Sequence, residues 1–274
     1  MIRSVTSRAN ATALAEWRQH MQAIGRAPGT IEQYESYLSR FLTAERSPYS
    51  VTVADIEQWL AEHPRWSAPS RRVAANALGS FYRWALTRGF IESDPTANLE
   101  HAHTRRPTPK PTPDDVLARG VASATGDDRW LLRLAASTGL RRAELAALHS
   151  SAVEHHPDGF WLRIVGKGGQ ERLVPVSDEL AGWIRSRRGW VFPSSRVVGR
   201  HELPASIGKR IARLLGGWSA HTLRHYFATV TYQATGDLYA TQRLLGHASP
   251  VTTQGYVMES PTRLRHAAEA AWVA

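Results

Sequence analysis

Apolar residues recur every three or four positions through most of the chain, a period that predicts helices. Leu14, Trp17, Met21 and Ile24 form one stripe on a helix read at 11–23. Pro28-Gly29-Thr30 then breaks the chain and restarts it, with Thr30 as the expected N-cap. Ile31, Tyr34, Leu38 and Phe41 carry the next stripe. Thr52 is placed to cap a third helix over 53–61. A fourth, over 70–88, carries Val73, Ala77, Phe81, Trp84 and Ala85 and is closed by Gly89. Four short helices of this kind predict a compact bundle.

The rest of the chain mixes periods. Helices are expected from 115–117, over 130–136 and, after a turn at Thr138-Gly139, over 141–148. Residues 160–165 and 172–176 alternate and are β-branched or aromatic, which suits two strands. The GKGGQE between them permits a hairpin turn. Helices follow over 205–215, 222–233 and 237–245, with a short one near 250–256 and a terminal one from Pro261. Between the two halves lies HTRRPTPKPTP, 103–113, with four prolines in eleven residues, a semi-rigid extended linker. The expected fold is therefore mainly α (α+β). An N-terminal four-helix domain at 1–102 and a linker at 103–113 precede a mostly helical domain with a small antiparallel sheet at 114–274.

Composition narrows the classes. The 274 residues allow one or two domains, and 42% hydrophobic with 21% charged residues is a globular balance. With no cysteine, a disulfide framework, a thiol nucleophile and cysteine-built metal sites are excluded, and a reducing, cytoplasmic setting is expected. No apolar run suggests a signal peptide or a membrane span. The net charge is +10 and is uneven: 11 basic against 10 acidic residues in 1–101, 23 against 14 in 102–274. A basic half points to a polyanionic partner, most often nucleic acid, although Arg outnumbers Lys 31 to 3 and part of the excess can reflect genome bias.

Four local patterns carry candidate chemistry. Arg141 and Glu144 stand three apart at a helix start, so Glu144 can hold the guanidinium; the plainer reading is a solvated pair. His221 and Arg224 share one face of a helix start behind Ser219, a natural phosphate site or simply a capped end, while Leu223, Phe227 and Val230 are read into the core. Lys167 sits in the glycine turn and is one of three lysines, with Lys110 and Lys209. A lysine can give up its proton where an arginine cannot, which suits a general acid; an ordinary exposed turn lysine is the alternative. His247 and Tyr256 flank a turn after a Gly246 helix end, and Tyr256 is either packing or a nucleophile. Arg71 and Arg72 open the fourth helix and face phosphates or solvent. His155-His156, His101 and His103 read as surface loop residues. No clustered Asp/Glu set suits a two-metal nuclease.

Taken in this order, TGLRRAEL, GKGGQERLVPV, HTLRHYFAT and LLGHASPVTTQGY resemble the tyrosine recombinase, or phage integrase, family. TIEQYESYLSRF and SRRVAANALGSFYRWA are similar to that family's core-binding helical domain, so the resemblance spans nearly the whole chain. The stretch HSSAVEHH departs from the family pattern by lacking its usual acidic and aromatic residues. The absence of an arm-type domain ahead of the bundle favours an Xer-like two-domain protein.

The resemblance implies a site-specific recombinase that clamps duplex DNA, with no cofactor and no metal. Tyr256 is then the nucleophile, Arg141 and Arg224 grip the phosphate, Lys167 is the acid, His221 assists proton transfer, and His247 binds the phosphate. Glu144 orients Arg141, and Arg71, Arg72 and Arg172 are expected at the DNA. The partners implied are double-stranded DNA carrying a recombination site and three further copies, a homotetramer on two duplexes, with room for accessory DNA-bending proteins. The last helix is expected as a subunit contact. A silent DNA-binding regulator of the same fold and a type IB-like topoisomerase are the competing readings.

Overall fold

The structure, a computed structural model, describes residues 2–43, 47–100, 108–166 and 169–246, with side chains from residue 8 onward. The chain forms two compact units, divided at Arg105–Arg106.

The first unit is helical: α1 (Ile2–Ala23), α2 (Pro28–Phe41), α3 (Val53–Ala61) and α4 (Ala68–Thr87). Its core is Trp17, Leu38, Phe41, Ile56, Leu78, Phe81 and Tyr82, all essentially buried. The helix α1 begins well before the expected residue 11, and Ile24, read into its stripe, lies beyond the helix and is exposed. Thr30 is not a cap. Pro28 takes the first turn, where its missing N–H costs nothing, and Ala27 is the N-cap. Thr52 caps α3 as expected, in a reciprocal box with Asp55. The Asn10 amide reaches from α1 to donate to the carbonyls of Leu42 and Thr43 at 3.3 and 2.7 Å, closing the end of α2.

The second unit runs α5 (Asp114–Ser123), α6 (Gly126–Thr138), α7 (Arg142–Ala146), a 3-10 turn (Ser150–Ala152), β1 (Val153–His156), β2 (Gly159–Val165), β3 (Glu171–Val176), α8 (Asp178–Ser186), α9 (Pro204–Leu214), α10 (Ala220–Thr235) and α11 (Leu238–Leu245). The sheet is antiparallel in the order β1-β2-β3, with Val153 opposite Leu162 and Ile164 opposite Arg172. Its inward residues Leu162, Ile164 and Val174 pack with Leu131, Leu132, Leu140, Ile184, Ile207, Ile211 and Leu223.

Two elements escape the sequence pattern. The strand β1 holds His155 and His156, so these are not loop residues; cross-strand pairing with β2, not intrinsic propensity, makes it extended. His155 packs edge-on to Phe160 at 4.9 Å, and His156 Nε2 lies 3.1 Å from Glu154. The helix α8 follows Ser177, whose hydroxyl accepts from the Leu180 N–H, and buries Leu180, Ala181 and Ile184. The linker's end belongs to this unit: the Thr112 N–H donates to the Thr222 carbonyl at 3.1 Å. The expected helices after 246, and with them the subunit contact, lie outside the described residues.

Candidate active site

The second unit builds its site from helix ends. Gly139 terminates α6 in the left-handed region at φ 60°. A Cβ there would lie 2.4 Å from Phe227 Cδ1, so only glycine lets the chain turn this close to α10. The turn delivers Arg141 as the N-cap of α7. The Arg141 backbone N–H donates to Glu144 Oε2 at 2.8 Å, and Nη1 donates to Oε1 at 2.8 Å. Glu144 thus closes the helix start and fixes the guanidinium with one carboxylate.

A second cation joins them. Arg172, on β3, donates from Nη1 to Glu144 Oε1 at 3.0 Å and from Nη2 to Oε2 at 2.6 Å. The Glu144 side chain is only 5% exposed. Burial pushes its carboxyl up, but hydrogen bonds and charge from Arg172, then the Arg141 donors, outweigh this and hold it below its ordinary value. The sign follows. Stability from this carboxylate is present above the ordinary value of 4.5 and is lost as pH falls through the lowered one.

Arg224 enters from α10, whose N-cap is Ser219. It is 2% exposed and donates from Nη1 to the Gly139 carbonyl and from Nη2 to the Leu245 carbonyl, each at 2.5 Å. Arg141 Nη2 reaches the Gly246 carbonyl at 3.2 Å, and Arg172 Nε reaches that of Leu244 at 2.9 Å. Three successive carbonyls at the end of α11 therefore each accept from a different arginine. These carbonyls lack helical donors and carry the negative end of the helix dipole, so cations gather there. Gly246 makes the approach possible: its φ is 64°, and a Cβ would lie 2.9 Å from Arg172 Cδ.

His221 stands on the first turn of α10, edge-on to His225 at 4.7 Å. The protein around it and then the charge of Arg224 lower its pKa, so its imidazole is neutral at physiological pH. Of the three residues read into the core beside it, Leu223 and Phe227 are buried, but Val230 is 43% exposed. The hairpin that carries Lys167 opens at Gly166, where a Cβ would stand 3.7 Å from Glu144 Oε1. The structure therefore gathers Arg141, Glu144, Arg172, Arg224 and the hairpin's root. Lys167, His247 and Tyr256 lie outside the described residues.

Two arginines expected at DNA make hydrogen bonds within their own units. Arg172 is bound as above. Arg71 donates to the carbonyls of Leu60, His63 and Trp66 at 2.9, 3.1 and 3.3 Å, sealing the end of α3. Arg72 is exposed. Arg71→Ala should therefore lower thermal stability by about 1–3 kcal/mol, the cost of unpaired part-buried carbonyls. It should leave the salt dependence of DNA binding unchanged. Arg72→Ala should reduce the slope of log affinity against log salt by about one. Thermal melts and salt titrations read the pair.

Among the described residues, no three His, Asp or Glu side chains gather as a metal site, and no helix is long and apolar enough to cross a membrane. Residues 117–263 match the family model for the phage integrase family, and residues 14–92 match that for the phage integrase N-terminal SAM-like domain. The chain belongs to the phage integrase family. This phage integrase family protein is 31% identical over 268 residues to Tyrosine recombinase XerC of Chromobacterium violaceum, covering 89% of each chain. It is a tyrosine-type site-specific recombinase of the Xer type. Its fold is that of XerH site-specific recombinase bound to difH substrate in a pre-cleavage complex (TM-score 0.66, 21% identity, 87% of this chain and 78% of that one). The family fold is equally seen in a lambda integrase tetramer bound to a Holliday junction (TM-score 0.70, 17% identity, 93% and 80%).

Proposed function

We propose that the chain cuts and rejoins duplex DNA at a specific site through a 3′-phosphotyrosine intermediate, with Tyr256 as nucleophile. The observation that carries this is the convergence of Arg141 and Arg224, from different helices, on the neighbouring carbonyls of Gly246 and Leu245. Two guanidiniums fixed at adjacent points match the two non-bridging oxygens of a phosphodiester. Neither loses its charge at any physiological pH.

The chemistry then balances without an external energy source. The Tyr256 Oη attacks phosphorus, the P–O5′ bond breaks, and the 5′-oxygen leaves with a proton from Lys167. The phenolic proton passes to His221, whose lowered pKa keeps its imidazole free to accept it. Arg141 and Arg224 stabilise the charge on the pentavalent phosphorus, and His247 donates to the same phosphate. A partner strand's 5′-hydroxyl reverses the steps and completes the exchange. Holding the arginines on helix-end carbonyls before DNA arrives reduces the reorganisation needed at the moment of reaction. We take the domains as a helical DNA-binding domain over 1–102, a linker over 103–113 and a catalytic domain over 114–274. We carry over from the Xer and lambda integrase complexes double-stranded DNA as the partner and a homotetramer as the active assembly, at work in the cytoplasm.

The test is a nicked suicide duplex carrying a candidate site from DNA flanking the gene, incubated with the protein in EDTA. A covalent protein–DNA band on a denaturing gel is expected. Tight binding by footprinting with no band on the same site would contradict the proposal and leave a DNA-binding regulator.

A further inference from the structure

Arg172 stands outside the set that touches phosphate, yet it joins three parts of the site. Its strand, β3, is one leg of the hairpin that carries Lys167. Its two Nη atoms hold both oxygens of Glu144, and its Nε holds the end of α11, immediately before His247. The side chain is 9% exposed, so this guanidinium is a fixture of the interior. Gly246 is shaped to it, leaving no room for a side chain between α11 and β3.

We propose that Arg172 is a positioning residue for the strand-exchange reaction: through Glu144 it fixes Arg141, and through the Leu244 carbonyl it sets the hairpin and the end of α11 in register with that arginine. The inference rests on the reading of Arg141 as a phosphate ligand. Its physical basis is the fork. A planar guanidinium pairs with both carboxylate oxygens and still has Nε for a third acceptor, which a lysine's single ammonium cannot reproduce. The described charged groups within hydrogen-bond reach of Glu144 are Arg141, from the same helix start, and Arg172, from β3. Without Arg172, a buried carboxylate keeps one cation, burial weighs more, and Glu144 takes up a proton at a higher pH than before. Protonated, it no longer holds Arg141 as an ion pair.

The experiment measures single-turnover cleavage of the suicide duplex between pH 5.5 and 9 by the full chain, Arg172→Gln, Arg172→Lys, Glu144→Gln and the double variant Arg172→Gln/Glu144→Gln. Tyr256→Phe runs alongside. Footprinting and thermal melts report folding and binding. Arg172→Gln should bind the site normally and cleave about a hundredfold more slowly near pH 6, the scale of a small misplacement of a reacting group. The deficit should shrink as pH rises and Glu144 ionises. Arg172→Lys should recover part of the rate. The double variant should be no slower than the worse single, because both act through Arg141.

A wild-type rate for Arg172→Gln would overturn the inference. So would a loss that is equal at every pH and multiplies with that of Glu144→Gln. If Arg172→Gln fails to fold, Arg172→Lys decides: an unchanged rate and pH profile in that variant overturns the inference. Adduct formation by Tyr256→Phe would instead sink the catalytic reading itself, so the two failures are distinguishable.

Discussion

Tyr256→Phe should bind its recombination site as tightly as the unaltered chain and form no covalent adduct. The substitution keeps the ring and removes one oxygen, the proposed nucleophile. A free tyrosine, with a pKa near 10, is a poor nucleophile, and in the proposed mechanism the charges of Arg141 and Arg224 favour its phenolate. Cleavage should fall at least about 10^4-fold, as it does when other covalent nucleophiles are deleted. Footprinting beside a denaturing gel separates binding from chemistry. Retained adduct would move the nucleophile elsewhere.

The second large effect is expected at Arg224. Arg224→Lys keeps one positive charge but loses the fork that spans the Gly139 and Leu245 carbonyls. An ammonium has no planar pair of donors to offer a phosphate, so cleavage should fall about 10^2–10^3-fold, the range for a lost donor to developing negative charge. Arginine does not titrate, but the buried lysine that replaces it can lose its proton, so the loss should deepen as pH rises. His221 behaves differently: its pKa is lowered, so its effect enters only as pH falls through that lowered value and the imidazole takes up a proton. Single-turnover rates across pH distinguish the two. A deficit in Arg224→Lys that deepens toward low pH would mean the substitution disturbs a titrating neighbour instead of the phosphate grip. Thermal melts control for the buried carbonyls that the lysine leaves less well served.

Local signals explain what the sequence made legible. The helix α3 was readable to the residue because Thr52 and Asp55 close its start within four positions. Glu144 beside Arg141 was readable because three residues separate them on one turn. The pairing of Arg172 with Glu144 was not legible because the two are 28 residues apart and nothing local announces a buried pair. The glycines carried real information: Gly139 and Gly246 mark the places where a turn presses against Phe227 or Arg172. The strand β1 was hidden because four residues with two histidines have no β pattern of their own, and only β2 makes them a strand. Val230 was read as core from spacing alone, but the α10 face it occupies is open.

The central claim is that Tyr256 becomes joined to a 3′-phosphate. The most direct measurement traps the adduct on a nicked duplex in EDTA, digests it with trypsin and sequences the nucleotide-bearing peptide by mass spectrometry. The account predicts the peptide spanning 244–263, whose one tyrosine is Tyr256, carrying a 3′-phosphate, while the released strand bears a free 5′-hydroxyl. A nucleotide on any other residue, or a 5′-phosphate linkage, would contradict it.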